Sequence, residues 1–307
     1  MTIIINSVIL ISSVFALWWG AVWVVESASR IAHRIGVSEL VIGLTVVAFG
    51  TSAPEFAVTL TAAFRDQADI SVGNVVGSNI FNLGFIMGGV AFLRSIVTSK
   101  RLVFRDGFIL IGVTIFLLIF LYDHRLMWWE GSILMASLIF YLTFLFIKKE
   151  PIEEEVPTGA FRWTDIPMLF AGLILILAGG HFLVDSASSL ARLMGISDWV
   201  IAVTIVAAGT STPELATSLV AVIKGKHGIS AGNLIGSDLF NLMGVLGLAG
   251  ILRPMQVTEG AYNDILVLSA MVILVVMMMR TGWKISRWEG ALLILINLVR
   301  WIINFYQ

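Results

Sequence analysis

Two glutamates, Glu55 and Glu214, each follow a proline and a Gly-Thr-Ser motif in the middle of a long apolar run. The first segment is Gly-Thr-Ser-Ala-Pro-Glu over residues 50–55, and the second is Gly-Thr-Ser-Thr-Pro-Glu over residues 209–214. An ionisable side chain at membrane depth is costly and by default marks a functional site. The proline beside it removes a backbone hydrogen bond and frees carbonyl groups. The two segments therefore predict broken helices that present oxygen ligands to a cation.

Hydroxyl groups and freed carbonyls surround each glutamate and make an oxygen-rich donor set. Hard cations such as Ca²⁺ prefer about six to eight oxygens from carboxylates, hydroxyls, amides and carbonyls. Two facing carboxylates repel each other, and a bound divalent cation removes that repulsion. The alternative is a pair of protonated glutamates that hydrogen-bond neighbouring helices, and the symmetric recurrence of the motif disfavours it. The flanking hydroxyls belong to Thr51, Ser52, Thr210 and Ser211.

A second pair of motifs supplies amide and hydroxyl groups on one helix face. Ser78 and Asn82 are spaced by four residues and so share a face, and Ser237 and Asn241 repeat the pair. The amide oxygens of the two asparagines could complete an oxygen cage opposite the glutamates. The glycines of these motifs also fit close packing between membrane helices.

Asp238 is a point at which the two motifs differ, because its counterpart is Asn79. At 3.6 residues per turn, it lies about 100° from Ser237 and about 60° from Asn241 around the helix. The position therefore flanks the expected cage. Three roles remain open for Asp238: a direct ligand, a binding site for a proton or coupling ion, or the partner of a basic group.

The composition is that of an integral membrane protein. Of the 307 residues, 58% are hydrophobic and 13% are charged, with a mean hydropathy of +0.97. Soluble proteins carry about 25% charged residues, so this chain has too little polar surface to coat a water-soluble globule. The absence of cysteine excludes disulfides, thiolate metal sites and thiol nucleophiles. Residues 1–25 lack a basic leader and are interpreted as a retained first helix rather than a signal peptide.

The chain matches itself at an offset of 159 residues. Residues 73–82 read Gly-Asn-Val-Val-Gly-Ser-Asn-Ile-Phe-Asn, and residues 232–241 read Gly-Asn-Leu-Ile-Gly-Ser-Asp-Leu-Phe-Asn. The triplet Trp-Glu-Gly at residues 129–131 recurs at residues 288–290. Internal repeats of this kind are typical of secondary transporters. Two halves of one design are therefore predicted.

Each half contains five segments that reach the length of about 20 mostly apolar residues required of a spanning helix. Five is an odd number, so the second half enters the membrane from the opposite side. The predicted fold is an all-α polytopic membrane protein with ten transmembrane helices in two inverted five-helix repeats. The first repeat covers residues 1–149, a cytoplasmic linker residues 150–165, and the second repeat residues 166–307. The predicted spans are 3–25, 38–63, 70–93, 103–122 and 129–148, then 166–185, 197–223, 229–252, 262–280 and 287–305.

The basic residues predict an orientation. Loops on one side of the membrane hold 14 lysines and arginines, and loops on the other side hold 5. Positive charge marks the cytoplasmic side. Both termini are therefore predicted to be extracellular, with the central loop cytoplasmic and the protein in the plasma membrane.

Other chemistry is not indicated. The four histidines show no metal-ligand spacing, and no phosphate-binding glycine loop precedes a lysine and a hydroxyl residue. No His-Glu-x-x-His motif or Ser/His/Asp set is recognisable. The expected partners are inorganic cations and the lipid bilayer, without nucleotide, nucleic acid or cofactor, and no enzymatic activity is predicted. A monomer is compatible with the sequence.

The paired motifs resemble the α-repeats of the sodium/calcium exchanger family, within the Ca²⁺:cation antiporter superfamily, and the chain looks like a prokaryotic member throughout its length. The resemblance implies antiport of Ca²⁺ against Na⁺ by alternating access, with the first and sixth helices sliding across a core formed by the second, third, seventh and eighth. It makes Glu55 and Glu214 the main Ca²⁺ ligands, joined by the backbone carbonyls of Thr51 and Thr210. The Na⁺ sites would be completed by Ser52, Ser211, Ser78 and Ser237 with the carbonyls of Ala48 and Ala207.

Asn82 and Asn241 occupy the central positions of the third and eighth helices in this resemblance. Some relatives carry aspartate at the position of Asn241, and in the potassium-dependent branch that aspartate is tied to K⁺ transport. Asparagine here argues against K⁺ dependence. Two alternatives stay open: a Ca²⁺/H⁺ or other cation/H⁺ exchanger, and a cation channel whose glutamates line a filter. A third alternative, an intramembrane enzyme, has no recognisable catalytic set in this sequence.

Overall fold

The computed structural model describes residues 2–148 and 159–305. Within these ranges the chain forms ten helical rods, and two of them are broken in the middle. The predicted linker lies outside the described residues as far as residue 158. In chain order the helices are α1 (Thr2–Ile35), α2a (Glu39–Thr51), α2b (Ala53–Phe64), α3 (Ala68–Leu93), α4 (Leu102–Asp123), α5 (Trp128–Ile147), α6 (Asp165–Leu193), α7a (198–209), α7b (Thr212–Ile223), α8 (His227–Leu252), α9 (Glu259–Arg280) and α10 (Arg287–Phe305).

The helices are those of a polytopic membrane protein. Seven of the described helices are long and apolar enough to cross a membrane, and the bent pair of α2a and α2b makes an eighth. Helix α8 is the most buried of these, because 89% of an apolar 18-residue stretch of it is buried inside the protein. Helix α3 follows with 72%. For α1 and α6 the same share is 33% and 28%. The core therefore lies around α3 and α8, and α1 and α6 lie at the periphery.

Two short strand ladders, which the all-α prediction did not include, join the halves. Strand β1 (Ile96–Val97) pairs with β4 (Lys284–Ile285), and β2 (Arg125–Leu126) pairs with β3 (Met255–Gln256), both antiparallel. The offset of 159 residues converts one ladder into the other. Strands of two residues are too short to give a periodic sequence signal.

Glycines set the crossings between helices of different halves. A Cβ atom built on Gly88 of α3 would lie 2.9 Å from the carbonyl oxygen of Gly290 in α10. One built on Gly247 of α8 would lie 3.1 Å from the carbonyl oxygen of Gly131 in α5. Small residues allow membrane helices to approach this closely. The repeat offset relates the two crossings as it relates the two ladders.

Helices α1 and α6 are longer than predicted. The prediction ended α1 at residue 25 and α6 at residue 185, where the sequence becomes polar, but they continue to Ile35 and Leu193. Packing inside the protein buries serines such as Ser27 and Ser186 and so extends both helices. Each ends before a glycine, at positions 36 and 195, whose φ angles of 76° and 81° favour a residue without Cβ.

Short π-helical stretches interrupt the core helices at corresponding positions. They occupy Gly43–Val47 and Ala202–Val206 in the second and seventh rods, and Asn82–Ile86 and Phe240–Val245 in α3 and α8. A π-helical stretch widens the helix locally and is frequent at functional sites. A fifth stretch, Leu102–Gly107 in α4, corresponds to α-helix in α9.

Candidate functional site

The predicted breaks in the second and seventh rods lie at Ser52 and Ser211. Ser52 has φ −78° and ψ 6°, Ser211 has φ −90° and ψ 8°, and α2b is bent by 50° from α2a. Proline lies in the first turn of both α2b and α7b, where its missing N–H costs nothing. Glu55 and Glu214 follow in the same first turns. Each carboxyl therefore lies at the positive end of a helix dipole inside the protein.

The serine at each break contacts the glutamate of the opposite half. Ser211 Oγ donates to Glu55 Oε1 at 3.4 Å, and Ser52 Oγ donates to Glu214 Oε1 at 3.5 Å. Ser237 Oγ also donates to Glu214 Oε1, at 3.4 Å. Both glutamates are completely buried. The two carboxyls and three hydroxyls thus form one cluster between the halves.

Asn74 and its counterpart Asn233 attach the helices α3 and α8 to the glutamate segments. Asn74 Nδ2 donates to Thr59 Oγ1 at 2.9 Å and to the Glu55 carbonyl at 3.5 Å. Asn233 makes the equivalent two bonds in its own half, at 3.0 and 3.5 Å. The prediction did not assign these residues as ligands. The hydroxyl one turn after each glutamate was the available signal, because both repeats retain it.

Asp238 takes the place of an amide acceptor. Asn82 Nδ2 donates to Asp238 Oδ1 at 3.1 Å, and the equivalent bond runs from Asn241 Nδ2 to Asn79 Oδ1 at 3.0 Å. Asn241 Nδ2 also lies 3.3 Å from Ser78 Oγ. The side chains of Asp238 and of the three asparagines are completely buried. Asp238 therefore faces the other half and accepts a hydrogen bond from the Asn82 amide. Its role as a direct ligand, or as a binding site for a proton or coupling ion, stays a prediction.

Five buried oxygens of this cluster have no hydrogen-bond partner among the described residues. An unsatisfied buried acceptor costs about 1–3 kcal/mol, so a concentration of them indicates a bound species. All five are acceptors, so that species must bring positive charge or donors. The oxygens are Glu55 Oε2, Glu214 Oε2, Asn82 Oδ1, Asn241 Oδ1 and Asp238 Oδ2.

The remaining predicted ligands lie on the broken second and seventh rods or line the neighbouring cavity. Thr51 Oγ1 donates to the Asn233 amide oxygen at 3.0 Å and lies 3.3 Å from Ser237 Oγ and from the Ala48 carbonyl. Thr210 lines a cavity together with Ser78. Ala207 begins the last turn of α7a, three residues before Thr210. The structure thus gathers hydroxyl, amide and carboxyl oxygens, and within the described residues it holds no group of three or more histidine, aspartate or glutamate side chains suited to a metal.

The two sides of the cluster are packed differently. A cavity of about 150 Å³ lies against Gly73 and Gly77 and is lined by the predicted ligands Ser78 and Thr210. Outside the neighbouring backbone of α3, no described atom lies within 4 Å of a Cβ built on either glycine. At Gly232 and Gly236 of α8 such a Cβ would lie 2.7 Å from backbone atoms of α2a. Corresponding glycines of the two motifs therefore have open surroundings in one half and closed surroundings in the other.

A model of one protein family, described as sodium/calcium exchanger protein, matches residues 5–147 and 165–305. The chain belongs to the sodium/calcium exchanger family. It is 37% identical to sodium/calcium exchanger MaX1 of Methanosarcina acetivorans, over 99% of both chains. It is 34% identical to putative antiporter CaxA of Alkalimonas amylolytica, over 95% of this chain and 96% of that one. The resemblance inferred from the sequence is confirmed.

The fold also agrees with a solved member of this exchanger family. The sodium-calcium exchanger NCX_Mj, soaked with zero Na⁺ and Ca²⁺, superposes with a TM-score of 0.85 at 30% sequence identity. The superposition covers 97% of this chain and 98% of that one. The all-helical membrane fold is therefore that of an exchanger, which is a transporter rather than an enzyme.

Proposed function

We propose that the protein is a secondary antiporter that exchanges Ca²⁺ for Na⁺ across the membrane by alternating access. The observation that carries the proposal is the set of five unpartnered, buried acceptor oxygens between the halves. A hard cation satisfies carboxylate and amide oxygens at once. Membership of the exchanger family and similarity to sodium/calcium exchangers support these two cations as the transported ions.

In this proposal the carboxylates of Glu55 and Glu214 bind Ca²⁺ directly, with the carbonyls of Thr51 and Thr210. The Na⁺ sites share the same carboxylates. They are completed by the hydroxyls of Ser52, Ser211, Ser78 and Ser237 and the carbonyls of Ala48 and Ala207, with Asn82 and Asn241 at the centre. Bound Ca²⁺ or bound Na⁺ neutralises the carboxylates. An empty site carries two negative charges, and moving it across the bilayer is costly, so the protein exchanges one ion for the other.

We further propose that all ten rods span the membrane as two inverted repeats, residues 1–149 and 166–307, in the plasma membrane with both termini outside. The pseudo-two-fold relation of the ladders and of the glycine crossings supports inverted halves. The cavity past Gly77 ends near Arg300, on the side with few basic residues. The described state would then be open to the outside and closed to the cytoplasm.

Ion pairs close the side of the protein opposite the cavity. They join the end of α1, the start of α2a, the start of α6 and the loop between α7b and α8. The pairs are Glu26–Lys224 at 2.6 Å, Arg30–Asp165 at 2.8 Å and Glu39–Lys226 at 2.7 Å.

One of these pairs corresponds, at the repeat offset, to another pair of one acidic and one basic residue. The counterpart of Glu26, 159 residues later, is Asp185, and the counterpart of Lys224, 159 residues earlier, is Arg65. Asp185 contacts His181 and its side chain is 63% exposed, and Arg65 is exposed as well. We expect Asp185 and Arg65 to approach each other only when the side with the cavity closes.

Cross-linking tests this exchange of contacts. Because the sequence has no cysteine, only the introduced cysteines can react. In the pair Glu26→Cys and Lys224→Cys, a short bismaleimide is expected to react under conditions that hold the described state and to stop transport. In the pair Arg65→Cys and Asp185→Cys, it is expected to react only during turnover. Equal reaction of both pairs under all conditions would argue against alternating access.

Replacing Asp238 with asparagine is expected to keep Ca²⁺ transport within about tenfold of wild type, since one hydrogen bond contributes about 1 kcal/mol. An asparagine can accept from Asn82 as Asn79 accepts from Asn241. Asp238→Leu leaves the Asn82 amide unsatisfied and is expected to lose at least about tenfold. Initial ⁴⁵Ca²⁺ uptake rates measure both. A loss of transport in Asp238→Asn as large as in Asp238→Leu would show that the negative charge itself is required.

The test of the proposed function is ⁴⁵Ca²⁺ flux in proteoliposomes with imposed gradients of Na⁺, K⁺ or H⁺. We expect an outward Na⁺ gradient to drive uptake, and K⁺ or pH gradients not to. Uptake driven by a pH gradient alone would identify a Ca²⁺/H⁺ exchanger instead. Unitary currents in bilayer recordings would identify a channel.

A further inference from the structure

A positive side chain lines the cavity that is also lined by Ser78 and Thr210 of the proposed cation site. Asn74, Ser78 and Thr210 line it together with Arg300 and Trp301 of α10. Arg300 and Trp301 are partly exposed, whereas Ser78 is buried. A fixed positive charge in such a passage repels cations and lowers their local concentration. Arg300 is therefore unexpected unless its charge is compensated.

Asp264 supplies that compensation. Arg300 Nη2 lies 3.1 Å from Asp264 Oδ1, and the side chains are 20% and 41% exposed. The pair joins the first turns of α9 to the last turns of α10. A charge beside an opposite charge at this distance is largely neutralised as seen by an ion farther along the passage.

The position of Arg300 is fixed by its neighbours in α10. The Trp301 ring packs against Phe85 with centroids 5.3 Å apart. Asn297 Nδ2 donates to the Ile80 carbonyl at 3.4 Å and lies close to α3. These contacts hold α10 on α3, so the backbone of Arg300 stays beside the cavity when its partner is removed.

This charge pair belongs to one side of the protein only. The counterparts of Asp264 and Arg300 at the repeat offset are Arg105 and Tyr141. Both contact Asp106, at 2.7 Å from Arg105 Nε and 2.8 Å from the Tyr141 hydroxyl. An ion that approaches from the other side therefore meets a different charge arrangement.

We propose that the Asp264–Arg300 pair tunes cation entry on the side of this cavity, with Asp264 masking the charge of Arg300. This proposal rests on the antiport proposed above, because it concerns the passage to that site. Removing Asp264 leaves an unmasked positive charge at the passage. Removing Arg300 leaves a negative charge that attracts Ca²⁺.

The experiment measures the KM for Ca²⁺ from each side of proteoliposomes with uniformly oriented protein. Asp264→Asn is expected to raise the KM on the cavity side about threefold to tenfold at low ionic strength, with little change in maximal rate. Arg300→Gln is expected to lower it. Both effects should shrink at high ionic strength and be absent from the other side. A merely structural role for the pair would change the KM in the same direction in both variants.

Arg253→Gln and Asp66→Asn are the matched controls, because these two side chains form a looser pair at 4.0 Å that does not line this cavity. They are expected to leave both KM values unchanged. Shifts of equal sign in Asp264→Asn and Arg300→Gln, equal effects on both sides, or no shift would overturn the proposal. Failure of wild-type protein to exchange Ca²⁺ for Na⁺ would instead refute the proposed function.

Discussion

Glu55→Gln and Glu214→Gln are each expected to abolish Na⁺-driven Ca²⁺ uptake into proteoliposomes. Glutamine keeps the shape and one oxygen of the side chain but removes a negative charge that faces the cation. Two unit charges 4 Å apart attract by about 4 kcal/mol at an effective dielectric constant near 20, and about 1.4 kcal/mol changes an affinity tenfold. Loss of one carboxylate should therefore weaken Ca²⁺ binding by at least about 100-fold.

The control for this prediction is Glu259→Gln. Glu259 lies in the first turn of α9 and is exposed, so the same substitution changes the net charge without touching the cluster. Its transport rate is expected to equal that of wild type. Exchange at the wild-type rate in either Glu55→Gln or Glu214→Gln would remove the glutamates from the proposed site.

Gly77→Ala is expected to slow transport by about fivefold to 150-fold while leaving the fold and the described state intact. Outside the neighbouring backbone of α3, no described atom lies within 4 Å of a Cβ at Gly77, whereas a Cβ at the corresponding Gly236 would lie 2.7 Å from the Cα of Leu44. If the two halves exchange their packing during transport, Gly77 enters the same tight contact in the opposite state. Overpacking costs about 1–3 kcal/mol, which corresponds to an about fivefold to 150-fold shift between states.

Gly236→Ala should produce the opposite effect, by disfavouring the described state. Gly89→Ala is the matched control on α3, because a Cβ at Gly89 also meets no described atom and its counterpart, Leu248, already carries a side chain. Uptake rates, together with thermal unfolding of each purified variant, separate a transport defect from a folding defect. Full transport by Gly77→Ala would contradict an exchange of packing between the halves.

The repeat made much of the architecture predictable. Because the segments around Glu55 and Glu214 share one sequence pattern, they adopt the same broken-helix conformation, with the break at Ser52 and Ser211 as the prolines indicate. The family inferred from the paired motifs is confirmed. The spacing of Ser78 and Asn82 predicted that both share one helix face, and in the structure both contact polar side chains of the other half.

The contacts between the halves could not be predicted from the sequence. The offset of 159 residues makes Ser52 and Ser211 equivalent positions. The contact of each serine with the glutamate of the other half depends on how the helices pack. The asymmetry between Gly77 and Gly236 could not be predicted either, because equal motifs carry no information about which state is occupied. The position of Asp238 opposite Asn82 required the same tertiary information.

The most direct test of the central claim is equilibrium binding of ⁴⁵Ca²⁺ to the purified protein in the presence of increasing Na⁺. We predict one Ca²⁺ site per chain, displaced by Na⁺ but not by K⁺, and lost in both Glu55→Gln and Glu214→Gln. Binding that persists in both variants, or that Na⁺ does not displace, would contradict a single oxygen cluster shared by the two transported ions.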